Sequence, residues 1–329
     1  MRKIASLVAV SLVLAAALTG CATTSGKAAS IEVPKNCTPL ADSANSKAVS
    51  VKAASKGLPK VSFPQPLRAS GSSRTIVKQG NGLMFEGGQF AEFEYSAYNA
   101  TSGKLFQASA WNGTNFAAQL IGKAETKNAS IFCQVFAGAR EGAIVSALLS
   151  AEDSHGGQAV ATGNIHAKDA ILFIFKLRKV FLPRAMGETQ AAQDGFPQVV
   201  LGNYGVPGLV MQDWSEAAAP KEFKKETLIK GAGQTVKAGD TVTVHYSGFV
   251  WSPTKTKFDS SWDSGSPAQF QLKQGSVIPG FISAIVGEKV GSQVVAVLPP
   301  SVAYGTQATG SIPANATLIF VIDILGVGR

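Results

Sequence analysis

Between Thr241 and Ser247 polar and apolar positions alternate. Val242, Val244 and Tyr246 fall on one face, and Thr241, Thr243, His245 and Ser247 on the other. That period is the pattern of a half-buried strand. Further on, Ile278, Phe281, Ile282 and Ile285 recur at helical spacing around Pro279, which suits a first helical turn, and Gly287 is placed to end the helix. Two apolar strands follow, at 293–298 and 317–325, split by the loop Pro299-Pro300-Ser301-Val302-Ala303-Tyr304-Gly305. The pattern predicts a short helix against an antiparallel sheet, with aromatic side chains converging on the space between them.

The same pattern occurs earlier in the chain, displaced by roughly 150 residues. Leu58-Pro59-Lys60-Val61 recurs as Phe196-Pro197-Gln198-Val199, and Thr75-Ile76-Val77-Lys78 as Thr227-Leu228-Ile229-Lys230. Phe93-Glu94-Tyr95-Ser96 matches Val244-His245-Tyr246-Ser247, and residues 104–109 match 256–261. Ala170-Ile171-Leu172-Phe173-Ile174-Phe175 matches Thr317-Leu318-Ile319-Phe320-Val321-Ile322. The polar, Gly-containing stretch 184–195 makes a boundary, and 196–200 and 209–212 read as short strands leading into the second unit. The expected organisation is a leader at 1–20, a lipidated cysteine with a spacer at 21–57, a degenerate unit at 58–183, a linker with leading strands at 184–225, and a second unit at 226–329. Within the spacer, the stretch around Val49 and Val51 has the character of a strand.

The leader rests on Arg2 and Lys3 ahead of the apolar run 4–18, which is too short for a span and has the form of a secretory signal. Leu18-Thr19-Gly20-Cys21 resembles the bacterial lipobox, which implies lipidation of Cys21 and an extracytoplasmic protein anchored to the cell membrane. With Cys21 so used, Cys37 and Cys133 remain as an even pair in an exported chain, and a disulfide between them is expected. Removal of the leader lowers the formal net charge from +9 to about +7. The excess is spread without a run of five like charges, which argues against a nucleic-acid partner. The 45% apolar composition is enough for real cores.

His155, His166 and His245 are scattered without cysteine or carboxylate at metal spacing, and there is no phosphate-binding GxxxxGK[ST] loop or Gly-x-Ser-x-Gly elbow. No metal, no cofactor and no hydrolase chemistry is expected. A reaction without a nucleophile fits better. Three runs in the last ninety residues, V-H-Y-S-G at 244–248, K-F-D-S-S at 257–261 and V-I-P-G-F at 277–281, together with A-Y-G at 303–305 and A-T-L-I-F at 316–320, resemble the FKBP-type peptidyl-prolyl cis-trans isomerases.

The resemblance implies an α+β fold of two tandem units, each a bent five- or six-stranded antiparallel sheet wrapped around a short helix. It also implies roles. Tyr246, Phe258, Val277, Ile278, Phe281 and Phe320 would form an apolar cup for a proline ring, with Ile312 on its rim. Tyr304 would donate its hydroxyl to a substrate carbonyl, and Asp259 would accept from Tyr246. Rotation about an X–Pro amide meets a barrier near ~20 kcal/mol because resonance is lost halfway. The planar amide is the form that water stabilises best, so a dry cup favours the twisted one. An aspartate beside a phenylalanine at a strand end is itself costly without a partner, which singles out the Tyr246–Asp259 pair.

Phe281 stands where the family often has tryptophan, Ala268 replaces an aromatic and Ser264 a basic residue. In the first copy Gln107 stands in place of Asp259, and His155 falls near the position of Tyr304. The polar segment 123–130 occupies the place where the second copy begins its helix. The expected function is prolyl isomerisation of unfolded or proline-containing exported polypeptides by the second unit. The alternative is a non-catalytic extracytoplasmic chaperone or binding protein that uses both units for docking.

Overall fold

A computed structural model describes residues 37–54, 57–114, 117–121, 127–210 and 219–328. Cys21, the leader 1–20 and residues 21–36 of the expected spacer lie outside the described residues. The described chain starts with one capped turn, α1 (Ala44–Lys47), in which Ser43 accepts from the Ser46 amide. A hairpin of β1 (Ser50–Lys52) and β2 (Lys60–Ser62) follows.

The first sheet is built from β3 (Ser73–Lys78), β4 (Gln89–Asn99), β5 (Leu105–Ala108), β6 (Ala117–Ile121), β7 (Ile144–Leu149) and β8 (Ile171–Val180). Helix α2 (Lys127–Phe136) lies between β6 and β7, and the short α3 (Ala151–His155) between β7 and β8. A connecting region holds β9 (Gly187–Thr189) and the hairpin β10 (Gln198–Leu201) with β11 (Pro207–Val210). The second sheet comprises β12 (Lys224–Gly231), β13 (Thr241–Val250), β14 (Lys257–Ser260), β15 (Ala268–Gln271), β16 (Gln293–Leu298) and β17 (Leu318–Val327), with α4 (Pro279–Ile285) between β15 and β16.

The two sheets share one topology. The first runs β3-β7-β8-β4-β5 with β6 also on β4, and the second runs β12-β16-β17-β13-β14 with β15 also on β13, all antiparallel. The registers agree in detail. Tyr95 faces Phe175 and Ala97 faces both Phe173 and Gln107, while Tyr246 faces Ile322 and Gly248 faces both Phe320 and Asp259.

Each sheet has an inner apolar core under its helix. Phe93, Phe136 and Phe175 anchor the first, and Phe281, Ile285 and Ile322 the second. Each also has an outer core beneath a hairpin: Val51, Val61 and Phe63 cover Leu148 and Leu172, and Val199 and Leu209 cover Val295, Val297 and Ile319. Burial on both faces explains why β16 and β17 read as continuous apolar runs.

Three expectations change. β13 is buried on both faces, with Thr243 and Ser247 inaccessible, because the connecting region and Trp262 cover the face its polar residues occupy. The second sheet gains a seventh strand, β9, which pairs antiparallel with the otherwise free edge of β12. Residues 37–54 are more than a spacer. The Leu40 amide donates to the Gln134 carbonyl at 3.2 Å. Arg74 donates to the Val135 and Leu40 carbonyls, and Val49 is buried in the outer core.

Cys37 and Cys133 form a disulfide, with their Cα atoms 5.5 Å apart, which ties this segment to α2. The first unit keeps a helix even though its polar segment begins at 123, because Ile131, Val135 and Phe136 supply the apolar stripe further along.

Candidate active site

Helix α4 is placed by its first residues. Ile278 caps it with extended backbone, and Pro279 opens the first turn. Gly280 then lets the helix press on β16: a Cβ there would lie 2.5 Å from Leu298 Cγ. This close approach brings Phe281 over the middle of the sheet, where it meets Phe320 edge-on at 5.4 Å and Tyr246 at 6.1 Å. Phe258 closes the far side, edge-on to Phe320 at 5.6 Å. It can do so because β13 carries glycine opposite β14. A Cβ on Gly248 would fall 2.5 Å from the Phe258 ring.

The result is a cavity of about 530 Å³ lined by Tyr246, Phe258, Asp259, Phe270, Val277, Ile278, Phe281, Tyr304 and Phe320, together with Gly275, Ser276 and Pro279. Its size is that of a small-ligand site. The Tyr246 hydroxyl donates to Asp259 Oδ2 across the rim. Burial, and then the Asp259 carboxylate, push the Tyr246 phenol well above its ordinary pKa. The phenol therefore stays protonated and can only donate to that carboxylate. Tyr304, from the Pro-Pro…Tyr-Gly loop, is 38% exposed, so its hydroxyl is available to a visiting chain.

Of the residues singled out from the sequence, eight line this one cavity. Ile312 does not. It is 5% exposed and packs into the inner core, where Thr309 and Ile312 close the loop with reciprocal backbone hydrogen bonds. Phe270 belongs to none of the family motifs, yet it lies 5.7 Å from the Tyr246 ring and 5.2 Å from Phe281. It supplies the aromatic that Ala268 lacks, and the period-two run Ala268-Gln269-Phe270-Gln271 was the pattern that marked it.

The floor of the site is held from behind. Ser261 Oγ accepts the Tyr246 amide at 2.8 Å and lies 2.9 Å from His245 Nδ1, while the Trp262 ring stacks on the His245 imidazole at 3.9 Å. Burial lowers the His245 pKa to about 4, so the ring is neutral near pH 7.

The first unit repeats the frame and changes the contents. Ser109 Oγ accepts the Tyr95 amide at 3.0 Å, as Ser261 does for Tyr246. At the position of Gly248 stands Ala97, and Phe106 packs instead with Val160, Ile165 and Phe173, so close to Gly163 that a Cβ there would meet it at 2.5 Å. Gln107 occupies the place of Asp259 in the register. His155 Nε2 donates to the Asp169 carbonyl at 2.8 Å and is tied to its own loop.

A family described as FKBP-type peptidyl-prolyl cis-trans isomerase matches residues 232–325, which contain the whole cavity lining. An FK506-binding protein of Streptomyces anulatus is 38% identical over 117 residues, 35% of this chain and 94% of that protein. The isomerase FkpA of Aeromonas hydrophila is 46% identical over 99 residues, 30% of this chain and 35% of its own length. The crystal structure of Escherichia coli FkpA superposes with a TM-score of 0.30 at 34% identity, covering 32% of this chain and 48% of that one. With a small relative covered almost completely at 38% identity and the family match over 232–325, the chain belongs to the FKBP-type peptidyl-prolyl cis-trans isomerases.

Proposed function

We propose that this isomerase acts on exported proteins as they fold at the outer face of the cytoplasmic membrane, held there by lipid on Cys21. The observation that carries the catalytic part is the aromatic cavity with Tyr246, Asp259 and Tyr304 at its rim. A proline ring seated among Phe258, Phe281 and Phe320 leaves its amide beside those three polar groups. Tyr304 donates to a substrate carbonyl and fixes one half of the amide. Asp259, held by Tyr246, faces the other half as it polarises. Water excluded from the cup cannot stabilise the planar form, and the barrier to rotation falls.

Location is supported by the leader pattern at 1–20, the Leu18-Thr19-Gly20-Cys21 run and the Cys37–Cys133 disulfide, a bond that persists in oxidising compartments. The first unit, with Ala97 and Gln107 in the places of Gly248 and Asp259, serves as a docking or spacing module.

Two measurements on the full chain test this. Proline-limited refolding of a reduced, unfolded client should accelerate with the wild-type protein. In cells, Cys21→Ser should abolish acyl labelling and leave unprocessed precursor. Normal maturation and labelling of the Cys21→Ser protein would remove the anchor and leave the isomerase.

A further inference from the structure

A row of side chains crosses four strands on the outer face of the first sheet. Register places Lys78 beside Ile144, Ile144 beside Lys176, and Lys176 beside Glu94. The same row in the second sheet reads Ile229, Gln293, Asp323, His245. There it is sealed: the Ala185 amide and Gln293 Nε2 donate to Asp323 at 2.8 and 2.7 Å, and Trp262 covers His245. In the first sheet it opens into a cavity of about 440 Å³ lined by Ile144, Lys176, Arg178, Trp111, Asn112 and Gly113, with Ala53, Ala54 and Gly57 at one wall.

The charges in that cavity do not balance. Glu94 is fully buried and already partnered, because Arg178 donates to its Oε2 through both Nε and Nη2 and the Gly113 amide donates to Oε1 at 2.8 Å. Lys176 has no carboxylate at ion-pair distance among the described residues, and the charged groups acting on it are Arg178 and Lys78, both repulsive, and Glu94, attractive. Burial and the two cations lower its pKa, the state that a bound anion would reverse. Lys176 and the N–H groups of Arg178 that do not face Glu94 are the cationic donors lining the cavity. An ammonium point charge beside a guanidinium suits the oxygens of a phosphate group.

We propose that this cavity binds a phosphate-bearing anion, with Lys176 as the charged contact and Trp111 and Ile144 flanking the ester group. The site is separate from the isomerase cup and does not depend on the anchoring at Cys21.

The test uses the full chain. Inorganic phosphate and glycerol phosphate are titrated calorimetrically at constant ionic strength, and flotation compares phosphatidylglycerol with phosphatidylcholine vesicles. Saturable one-site binding is expected, weakened about tenfold or more by Lys176→Gln, in line with loss of one charged hydrogen bond, and unchanged by Lys230→Gln, whose side chain is exposed on β12 of the second sheet. Lys176-dependent capture by phosphatidylglycerol identifies a lipid headgroup as the source, and binding of the soluble esters alone identifies a free phosphate compound. Should Lys176→Gln fail to fold, phosphate should still shift the amide resonances of Gly113 and Lys176 in the wild-type protein. Absence of saturable binding, equal weakening by Lys230→Gln, or shifts confined to other regions would overturn the proposal.

Discussion

At Gly248 a single missing methyl group decides where Phe258 can sit, and with it the depth of the cup. Gly248→Ala reproduces the Ala97 of the first unit. It should displace the Phe258 ring and lower the isomerisation rate by roughly tenfold while the fold survives, because the ring can swing toward solvent. An unchanged rate in a proline-limited refolding assay would show that Phe258 takes no part. Asp259→Ala and Tyr246→Phe break the rim hydrogen bond from opposite ends. Each should cost on the order of 1–3 kcal/mol of activation free energy, about ten- to hundredfold in rate, with cooperative unfolding preserved. Phe320→Ala differs, since Phe320 is shared by cup and core and its loss should reduce stability by about 3–5 kcal/mol as well as rate. A folded Asp259→Ala protein of full activity would take that carboxylate out of the mechanism.

The paired strands β13 and β17 carry two buried ionisable groups directly opposite one another, His245 and Asp323. Burial lowers His245 to about 4, below its ordinary 6.5, and raises Asp323 to about 6, above its ordinary 3.8. Two donated hydrogen bonds and Arg184 only partly offset the burial of Asp323. For His245 the unfolded chain takes the proton first, so stability is lost as pH falls from 6.5 toward 4. For Asp323 the folded chain takes it first, so stability is gained as pH falls from 6 toward 4. Each effect is worth about 3 kcal/mol, and in the wild type they largely cancel. Single variants should separate them. His245→Gln should become more stable to urea between pH 6 and pH 4, and Asp323→Asn less stable. Slopes of the same sign in the two variants would refute the assignment.

For the molecule as a whole, the boundaries of the working units matter more than their number. The second unit takes β9, the hairpin β10–β11 and the Ala185 amide from the connecting region, so a fragment 221–329 exposes the apolar residues Val295, Val297 and Ile319. A fragment 184–329 should fold and carry nearly all the activity, whereas 221–329 should be markedly less stable to urea. A fragment 37–183 should fold and leave the spontaneous proline isomerisation rate unchanged, since uniform binding without the rim contacts lowers no barrier. Comparable catalysis by 37–183 would mean that Gln107 and His155 replace Asp259 and Tyr304. The disulfide closes a 96-residue separation, and its reduction should cost the first unit up to ~4–5 kcal/mol in the chain-entropy view. Two-step urea unfolding after reduction, with the second unit unmoved, is the expected readout.

Local pattern alone determined much of this. Alternation along 241–247, the Pro279 start of α4 and the displaced repeat follow from side-chain periodicity, which the chain carries wherever it folds. The family motifs named eight residues that come to line one cavity, because each sits at a fixed offset from a turn or a strand end. What the tertiary structure decided depends on partners distant in sequence. Pattern could not show that the polar face of β13 is buried, since the covering Trp262 and hairpin residues belong to other segments. Nor could it place Ile312 in the core instead of on the rim, or give residues 37–54 to the first unit. Lys78 and Lys176 of the first sheet likewise lie far apart in sequence until β3, β7, β8 and β4 set them in one row with Glu94. Periodicity fixes the face on which a side chain lies, and only the assembled fold determines what covers that face.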